Sequence, residues 1–435
     1  MELLFVTNFT EEQTYWKIVS ECTIKPAGSA SQVFEGLFLK GFSMLDNVNV
    51  TACSFRLIPS FPANKRIFWP SYSERLFGNT LCIYLPVVNL PLVKQLIQSI
   101  GLGFEIIRWA VFNRRKRKAI IFTCINVPMV FSALILRPII RTPVFVIVPD
   151  LPSLILTYTK QSGLKKVLSY PFKWLCNIAE SRFDGYILLT KYMNGVINRK
   201  NRPSIVIEGM SDPELTDVKD DKICMESDNV IMYAGALYRQ FGIDKLISAF
   251  RKLRQENIQL WIFGTGDMDD EIRQQALIDS RIKFFGMYPR KEVVEFEKKA
   301  SLLINPRPSD SVFALYSFPS KTLEYMATGT PVLTTRLPGI PEEYFDYVYV
   351  IENETDDGIA EAIQRVLMLP QHERNIRGQR ARQFALENKN CYVQAKKVIE
   401  MIEACMGDCT INCVNPFGKK VNFYQGGKEN GRKTF

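Results

Sequence analysis

The segment 230–267 (VIMYAGALYRQFGIDKLISAFRKLRQENIQLWIFGTGD) decides the fold class. Two apolar runs within it, 230–234 and 260–263, have the length and composition of buried strands. Between them, 243–253 repeats apolar residues every three or four positions, which predicts an amphipathic helix. A strand, a helix and another strand in this order predict parallel strands joined by a crossover helix.

The same alternation extends in both directions along the chain. In the first half, strands are predicted near residue 5 and at 48–54, 81–87, 119–124, 144–148, 185–189 and 204–207, with a helix at 32–42. In the second half, further strands are predicted at 282–285, 302–304, 332–335 and 348–351, with helices at 267–276, 292–299 and 320–327. The predicted fold is therefore α/β, with two Rossmann-like doubly wound domains facing each other across a cleft.

The length of 435 residues requires more than one hydrophobic core. The polar, acidic stretch 211–228 lacks periodicity and predicts a linker between a first domain, 1–210, and a second, 229–388. A helix at 389–406 is expected to pack back on the first domain. The Gly- and Lys-rich segment 407–435 predicts a flexible tail.

The positive charge belongs to the first domain. Residues 1–210 contain 25 Lys and Arg against 12 Asp and Glu, a net +13, whereas 211–435 contain 30 against 33, a net −3. A basic half beside a near-neutral half predicts a surface that meets an anionic partner: nucleic acid, lipid headgroups or a phosphorylated substrate.

The cysteines and the N-terminus indicate a reducing compartment. Ten cysteines form no CxxC pair, and Cys405, Cys409 and Cys413 have no fourth ligand nearby, so no structural zinc site is predicted. The N-terminal sequence lacks the features of a signal peptide. The uncharged run 119–136 is interpreted as a buried strand followed by a buried helix, because Asn126 and Pro128 interrupt it.

A phosphate and sugar site is predicted where the segment 316–332 (YSFPSKTLEYMATGTPV) begins a helix. Ser320 is expected to cap this helix, whose free N–H groups and dipole attract phosphate, and Lys321 adds a positive charge. Glu324 follows one turn later, where its carboxylate can accept hydrogen bonds from two sugar hydroxyls. The structural alternative is a capped helix with a solvated Lys and a surface Glu.

This segment resembles the GT-B retaining glycosyltransferases of the glycogen-synthase-like, family 4 type that use nucleotide sugars. The resemblance is clear over 230–402 and weak before it. Glu324 and the residues after it resemble the family segment EAMASGTPVV, which implies that Glu324 binds the donor ribose. The family has a second glutamate eight residues earlier, facing the donor sugar, and Tyr316 replaces it here.

The family also places an Arg and a Lys after the first strand of this domain to neutralise the donor pyrophosphate. Ala236 and Phe241 stand at those positions. Because charge that develops on the leaving group must meet preorganised donors, Arg239 and Lys321 are predicted to supply them. Arg307, which follows Asn305 and Pro306, is a third candidate.

Glycine turns complete the donor site that the resemblance implies. Gly264 and Gly266 resemble the family's G-x-G turn, with a plain structural turn as the alternative, and Gly28 resembles the glycine loop that approaches the donor phosphate. The predicted donor-binding residues are Gly28, Gly235, Gly264, Gly266, Asn305, Arg307, Tyr316, Ser320, Lys321 and Glu324.

The candidate catalytic residues are Asp150, Arg239 and Lys321. Asp150 ends the strand after which the family carries a His near the transferred sugar, and Pro149 occupies the His position. Asp150 is expected either to bind acceptor or sugar hydroxyls or to cap the next turn. In retaining enzymes of this fold the leaving phosphate is thought to assist deprotonation of the acceptor, so the resemblance does not require a protein base.

A basic run follows an apolar helix in the first domain. Trp109 lies in that helix, and Arg114, Arg115, Lys116, Arg117 and Lys118 follow it. Clustered cations beside an apolar helix face attract an anionic leaflet, which predicts peripheral membrane docking through these residues. The alternative is a solvated helix end.

The resemblance, together with the basic first half, implies a hexosyltransferase that moves a sugar from a UDP- or GDP-linked donor to a lipid-linked or glycan acceptor, with retention, in cell-surface polysaccharide synthesis. No metal or other cofactor is expected, because no Asp-x-Asp pair follows a strand. The expected location is cytoplasmic, peripheral at the inner face of the cell membrane. A nucleotide-sugar 2-epimerase and a catalytically weak sugar-binding subunit are the alternatives, and nucleic-acid binding is not expected.

Overall fold

The computed structural model describes residues 1–23, 29–91, 93–151, 173–216 and 229–407. Its first domain is built on a sheet of strands β1 Glu2–Thr7, β2 Asn49–Ser54, β4 Tyr72–Leu76, β5 Thr80–Tyr84, β7 Lys118–Phe122, β8 Val144–Val148, β9 Gly185–Leu188 and β10 Ser204–Val206. The order is β10-β9-β8-β7-β1-β2-β5-β4, and every neighbouring pair is parallel except β4 with β5. A separate antiparallel pair joins β3 Phe68–Trp69 to β6 Val87–Val88.

Helices cover both faces of this sheet, which explains why β1 and β8 are buried along their whole length. They are α1 Glu12–Ser20, α2 Ser29–Ser43, α3 Val93–Phe112, α4 Val127–Ile140, α5 (residues 173–180) and α6 Lys191–Ile197. Among the described helices, none combines the length and the hydrophobicity that a membrane span requires. The interpretation of 119–136 as a strand and a buried helix agrees with β7 and α4.

The second domain has a wholly parallel sheet in the order β13-β12-β11-β14-β15-β16. Its strands are β11 Asn229–Ala236, β12 Ile258–Thr265, β13 Ile282–Gly286, β14 Leu302–Asn305, β15 Val332–Thr335 and β16 Tyr349–Ile351. The helices are α7 Pro213–Thr216, α8 Ile243–Lys252, α9 Asp269–Ile278, α10 Arg290–Lys299, α11 Val312–Tyr316, α12 Ser320–Thr328, α13 Asp356–Met368, α14 Gln371–Asn388 and α15 Cys391–Cys405, with 3₁₀ turns at Arg239–Phe241 and Glu342–Asp346.

The chain crosses back to the first domain after α14. Ser211 pairs with Asn390 in a short parallel bridge, and α15 packs against α2. A Cβ on Gly41 would lie 2.2 Å from the carbonyl oxygen of Cys391, so the two helices touch backbone to backbone there. The predicted α/β fold class with two doubly wound domains is confirmed, while β4, the β3–β6 pair and α1 were not predicted.

Candidate functional site

The site is built at the carboxyl edge of the second sheet, where parallel α/β sheets bind ligands. Asn305 ends β14, and its side-chain amide donates a 3.0 Å hydrogen bond to the hydroxyl of Thr322 in the first turn of α12. Both groups are buried. This bond fixes the start of α12 against the strand end, so the helix presents its first turn to the edge of the sheet.

The first turn of α12 differs from the prediction in one respect. Ser320 is the first helical residue rather than the cap, since Pro319 holds the cap position and no side chain there accepts a hydrogen bond from the helix. Pro319 has the extended backbone of a cap residue, so Ser320 falls inside the helix, which begins where the predicted range 320–327 begins. Ser320 remains exposed at the helix N-terminus.

Glu324 lies one turn into α12 between two cations. The ammonium of Lys321 lies 2.5 Å from its Oε1, and Nε of Arg290, the first residue of α10, donates to its Oε2 at 3.0 Å. Burial alone would raise the pKa of Glu324, but Lys321 and Arg290 outweigh burial and lower it to about 2. The carboxylate is therefore ionised at neutral pH and able to accept hydrogen bonds from a diol.

Glu297 of α10 lies behind this cluster. Its Oε1 is 3.5 Å from the ammonium of Lys321, and its Oε2 has no hydrogen-bond partner among the described residues. The side chain is fully buried, and burial raises its pKa to about 8, an effect that Lys321 only partly offsets. Lys321 thus faces one ionised carboxylate and one that favours its protonated form.

The predicted glycine turns press against the end of β11. Gly264 has φ +129°, and a Cβ there would lie 1.8 Å from the carbonyl oxygen of Gly235. A Cβ on Gly266 would lie 2.2 Å from the carbonyl oxygen of Leu237. Asp269 holds the turn by accepting from the Gly266 amide at 2.8 Å. At both positions a side chain would collide with the backbone of the neighbouring segment, so only glycine fits. The G-x-G motif therefore has a structural explanation.

Arg239 is paired with carboxylates of the neighbouring helices. Its guanidinium pairs with Glu271 of α9 and lies 3.4 Å from Asp244 of α8, and its backbone amide donates to Asp267. The hydrogen bond with Glu271 raises the pKa of Arg239. The side chain of Arg239 is therefore bonded to α8 and α9 rather than to Lys321 or Glu324.

Arg307 contacts the position from which the family cation is missing. Its guanidinium carbon lies 5.1 Å from the ring centroid of Phe241, a cation–π distance. The backbone carbonyl of Arg307 accepts from the hydroxyl of Thr335 at the end of β15. Burial lowers the pKa of Arg307, and the aromatic ring offers it a favourable surface. Arg307 thus brings a positive charge to the side chain of Phe241.

Tyr316 lies where the two domains meet. It ends α11 and is half-buried against the core of the first domain. The adjacent Leu315 carbonyl accepts a 2.8 Å hydrogen bond from the hydroxyl of Thr190, which precedes α6. The residue that replaces the family's first glutamate therefore takes part in the domain junction.

The carboxyl edge of the first sheet contains a carboxylate that the sequence did not indicate. Glu35 of α2 accepts from the backbone N–H of Asn8 at 2.9 Å, from the hydroxyl of Thr123 at 2.6 Å and from the hydroxyl of Thr7. It is buried, and burial raises its pKa. Glu35 joins the ends of β1 and β7, so it shapes this edge.

Asp150 follows β8 at the same edge. The residue as a whole is exposed, but the surrounding protein partly desolvates its carboxylate and raises its pKa. The predicted loop residue Gly28 lies outside the described residues.

The predicted docking residues separate into two groups. Arg114, Arg115, Lys116 and Arg117 are exposed after α3, Lys118 begins β7, and Lys116 pairs with Glu2 at 2.9 Å. Trp109 is only 7% exposed and packs in the core of the first domain. The prediction for Trp109 is wrong, because the indole lies on the inner face of α3.

A protein-family model matches most of the second domain. Residues 218–384 match the family model described as "Glycosyl transferases group 1". No group of three or more metal-ligating side chains occurs within the described ranges.

Two curated relatives match parts of the chain. N-acetyl-alpha-D-glucosaminyl L-malate synthase of Bacillus anthracis is 25% identical over 201 residues, 45% of this chain and 49% of the relative. Amylovoran biosynthesis glycosyltransferase AmsK of Erwinia amylovora is 25% identical over 117 residues, 26% of this chain and 29% of the relative. The chain thus spans about half of the first relative and less than a third of the second.

Solved structures match nearly the whole chain. Sucrose-phosphate synthase from Thermosynechococcus elongatus has a TM-score of 0.65 at 14% identity, covering 93% of this chain and 99% of its own. Anabaena Alr3699/HepE in complex with UDP-glucose has a TM-score of 0.59 at 14% identity, covering 93% and 100%. The fold is GT-B.

Proposed function

We propose that this chain, whose residues 218–384 match the group 1 glycosyl transferases, transfers a sugar from a nucleoside diphosphate sugar to a hydroxyl of a glycan acceptor. The observation that carries the proposal is Glu324, ionised between Lys321 and Arg290 at the carboxyl edge of the second sheet. A carboxylate for the ribose and two cations for the phosphates stand together there.

The proposed donor is a UDP- or GDP-linked sugar. Glu324 would accept hydrogen bonds from the ribose hydroxyls, and Lys321 and Arg290 could turn from the carboxylate to the phosphates, with Arg307 as a further cation. Solved neighbours of the same fold contain UDP or UDP-glucose, which makes the uridine donors the first to test.

The proposed transfer retains the anomeric configuration. The acceptor oxygen bonds to the anomeric carbon as the bond from that carbon to the phosphate oxygen breaks, and the acceptor proton passes to the leaving phosphate. Asp150 would orient the acceptor by accepting a hydrogen bond from a sugar hydroxyl. We propose no metal for this step, since the charge on the leaving group would be met by the cations around Glu324.

The proposed acceptor is a lipid-linked glycan at the inner face of the cell membrane, in cell-surface polysaccharide synthesis. The name of the amylovoran relative and the net +13 of residues 1–210 support this setting. A phosphorylated lipid carrier would be attracted by a basic acceptor domain.

A donor panel tests the proposal. The full chain is incubated with membrane extract and labelled UDP and GDP sugars, and transfer to an extractable product is expected with at least one donor. A panel that is blank for every uridine and guanosine donor would count against the proposed transfer. Replacing both cations that hold Glu324, Lys321→Ala with Arg290→Ala, should abolish turnover, whereas the exposed Arg254→Ala should not; a fully active double variant overturns their proposed role.

A binding subunit without turnover is the second candidate. It is favoured by Arg239, whose charge is already met by Glu271 and Asp244, and by Pro149 in place of the family His. Calorimetric binding of a nucleotide sugar together with a blank transfer panel would support this candidate. Formation of an epimer without any acceptor would instead support the epimerase alternative.

A further inference from the structure

A continuous apolar stripe runs along the solvent side of α3. Its large apolar side chains are between 39% and 83% exposed, although this helix also contributes to the core. The stripe comprises Val93, Leu96, Ile100, Phe104, Ile107 and Val111, and Phe112 follows at its end. These six positions are three or four residues apart, so they share one face of the helix.

The inner face of α3 is fully used by the fold. Leu102, Ile106 and Trp109 are buried in the core of the first domain. The outer stripe is therefore a second apolar face on the same helix, about 30 Å long at 1.5 Å per residue. The neighbouring helix α4, which packs along α3, also exposes Ile135 and Ile139, both by more than 70%.

The segment that forms this surface contributes almost only positive charge. Within 93–141 the single acidic residue is Glu105, and it is paired with Arg108 at 2.6 Å. The same range contains nine basic residues: Lys94, Arg108, Arg114, Arg115, Lys116, Arg117, Lys118, Arg137 and Arg141. These 49 positions thus have a net charge of +8, compared with +10 for the whole chain. Outside this range, Glu2 pairs with Lys116 and Asp184 pairs with Arg137, so the other basic residues carry most of the excess.

We infer that this α3–α4 face docks onto an anionic lipid bilayer, with the stripe immersed among the headgroups and acyl chains and Arg114 and Arg115 against the phosphates. An apolar face of this size marks an interaction surface, and a helix lying in the membrane plane buries such a face. A second copy of the chain is disfavoured as the occupant, because pairing would bring two basic segments together.

This inference deepens the proposed acceptor setting by naming the surface that meets the membrane. It is tested without donor or acceptor, so its failure and the failure of the proposed transfer are separate results. A chain that docks and transfers nothing, or transfers without docking, would distinguish them.

The experiment is flotation of the full chain with vesicles of phosphatidylcholine alone and of phosphatidylcholine with phosphatidylglycerol. Binding is expected to the anionic vesicles and to weaken at high ionic strength. Combining Leu96→Gln, Ile100→Gln and Phe104→Gln should weaken binding by about tenfold or more, because the stripe no longer partitions into lipid. Arg114→Gln with Arg115→Gln should lower binding to anionic vesicles and flatten its salt dependence.

The matched control carries Leu277→Gln and Ile278→Gln, which replace exposed apolar residues of α9 in the second domain. This control should bind vesicles like the parent, and circular dichroism should show that all variants fold. Parent protein that stays unbound with anionic vesicles, or a stripe variant that binds as the parent does, overturns the inference. A parent dimer that the stripe substitutions convert to a monomer would assign the face to a second copy and also overturn it.

Discussion

Arg290 opens α10 and donates its Nε–H to Oε2 of Glu324 in α12, at 3.0 Å. The carboxylate that would bind the donor ribose is therefore held by a cation from a different helix as well as by Lys321 in its own. Two cations on one carboxylate leave positive charge in excess, and a diphosphate is a ligand that can use it.

Replacing Glu324 should weaken nucleotide binding. In Glu324→Gln the acceptor of two charge-assisted hydrogen bonds is lost, which is expected to weaken UDP or GDP binding by about 2 kcal/mol, or about thirtyfold. Titration calorimetry measures this. Glu292→Gln, an exposed position in α10, serves as control. If Glu324→Gln and Glu292→Gln bound the nucleotide with equal affinity, Glu324 would not be part of the donor site.

Arg290 should help to keep Glu324 ionised by lowering the pKa of Glu324. Because Arg290 and Lys321 hold that pKa near 2, Arg290→Ala is expected to raise it toward the ordinary value of 4.5. As the pH is lowered, the variant should therefore lose nucleotide affinity at a higher pH than the parent does. Binding measured from about pH 4 to pH 7 tests this, with exposed Lys291→Ala as control. If Arg290→Ala and the parent lost nucleotide affinity at the same acidic pH, the prediction would be contradicted.

The sequence predicted the sheets well because their strands are buried on both faces and appear as short apolar runs, as at Val144–Val148. It missed Tyr72–Leu76, whose alternating half-buried and exposed residues at the sheet edge give a weak pattern. The helix was predicted at 320–327 and begins at Ser320, but the cap is Pro319 rather than Ser320, since a Ser after a Pro is compatible with either cap or first turn.

The site was predicted only where local sequence carries the signal. Glu324 lies in a recognisable motif, but Arg290 reaches it from 34 residues away through tertiary packing. Glu297 could have been suspected, since it falls four residues after the buried Val293 and hence on the inner face of α10. Trp109 was assigned to the wrong face because the helix has apolar residues on both sides.

Glu297 should make stability depend on pH. Its pKa is raised to about 8 in the folded protein, above the ordinary 4.5, so the folded state holds a proton that the unfolded state releases. This stabilisation is complete below about pH 4.5 and is lost as pH rises through 8. Glu297→Gln cannot ionise, so its Tm should fall less than that of the parent between about pH 5 and pH 9.

Thermal unfolding across this range measures the effect, with Glu292→Gln as the exposed control on the same helix. The control should follow the parent curve. A Glu297→Gln curve that also parallels the parent would show that Glu297 does not hold the proton.

Lys389 should hold the two domains together at the point where the chain crosses back. Its ammonium pairs with Glu208, which follows β10 of the first domain, and lies 2.8 Å from Oε1 of Glu343 in the second. Tyr344 donates its hydroxyl to the same carboxylate of Glu208 at 2.8 Å. Lys389 and Glu208 are buried, so Lys389→Met would leave Glu208 ionised without its cation.

Loss of one partner of a buried ion pair typically costs about 3 kcal/mol, so Lys389→Met should lower the free energy of unfolding by about that amount. Urea unfolding measures it, and the exposed Lys396→Met on α15 should change stability by less than about 0.5 kcal/mol. Adding Glu208→Gln should restore part of the loss, because a neutral amide needs no cation and can still accept from Tyr344. A double variant no more stable than Lys389→Met would mean that the uncompensated charge of Glu208 is not the cause.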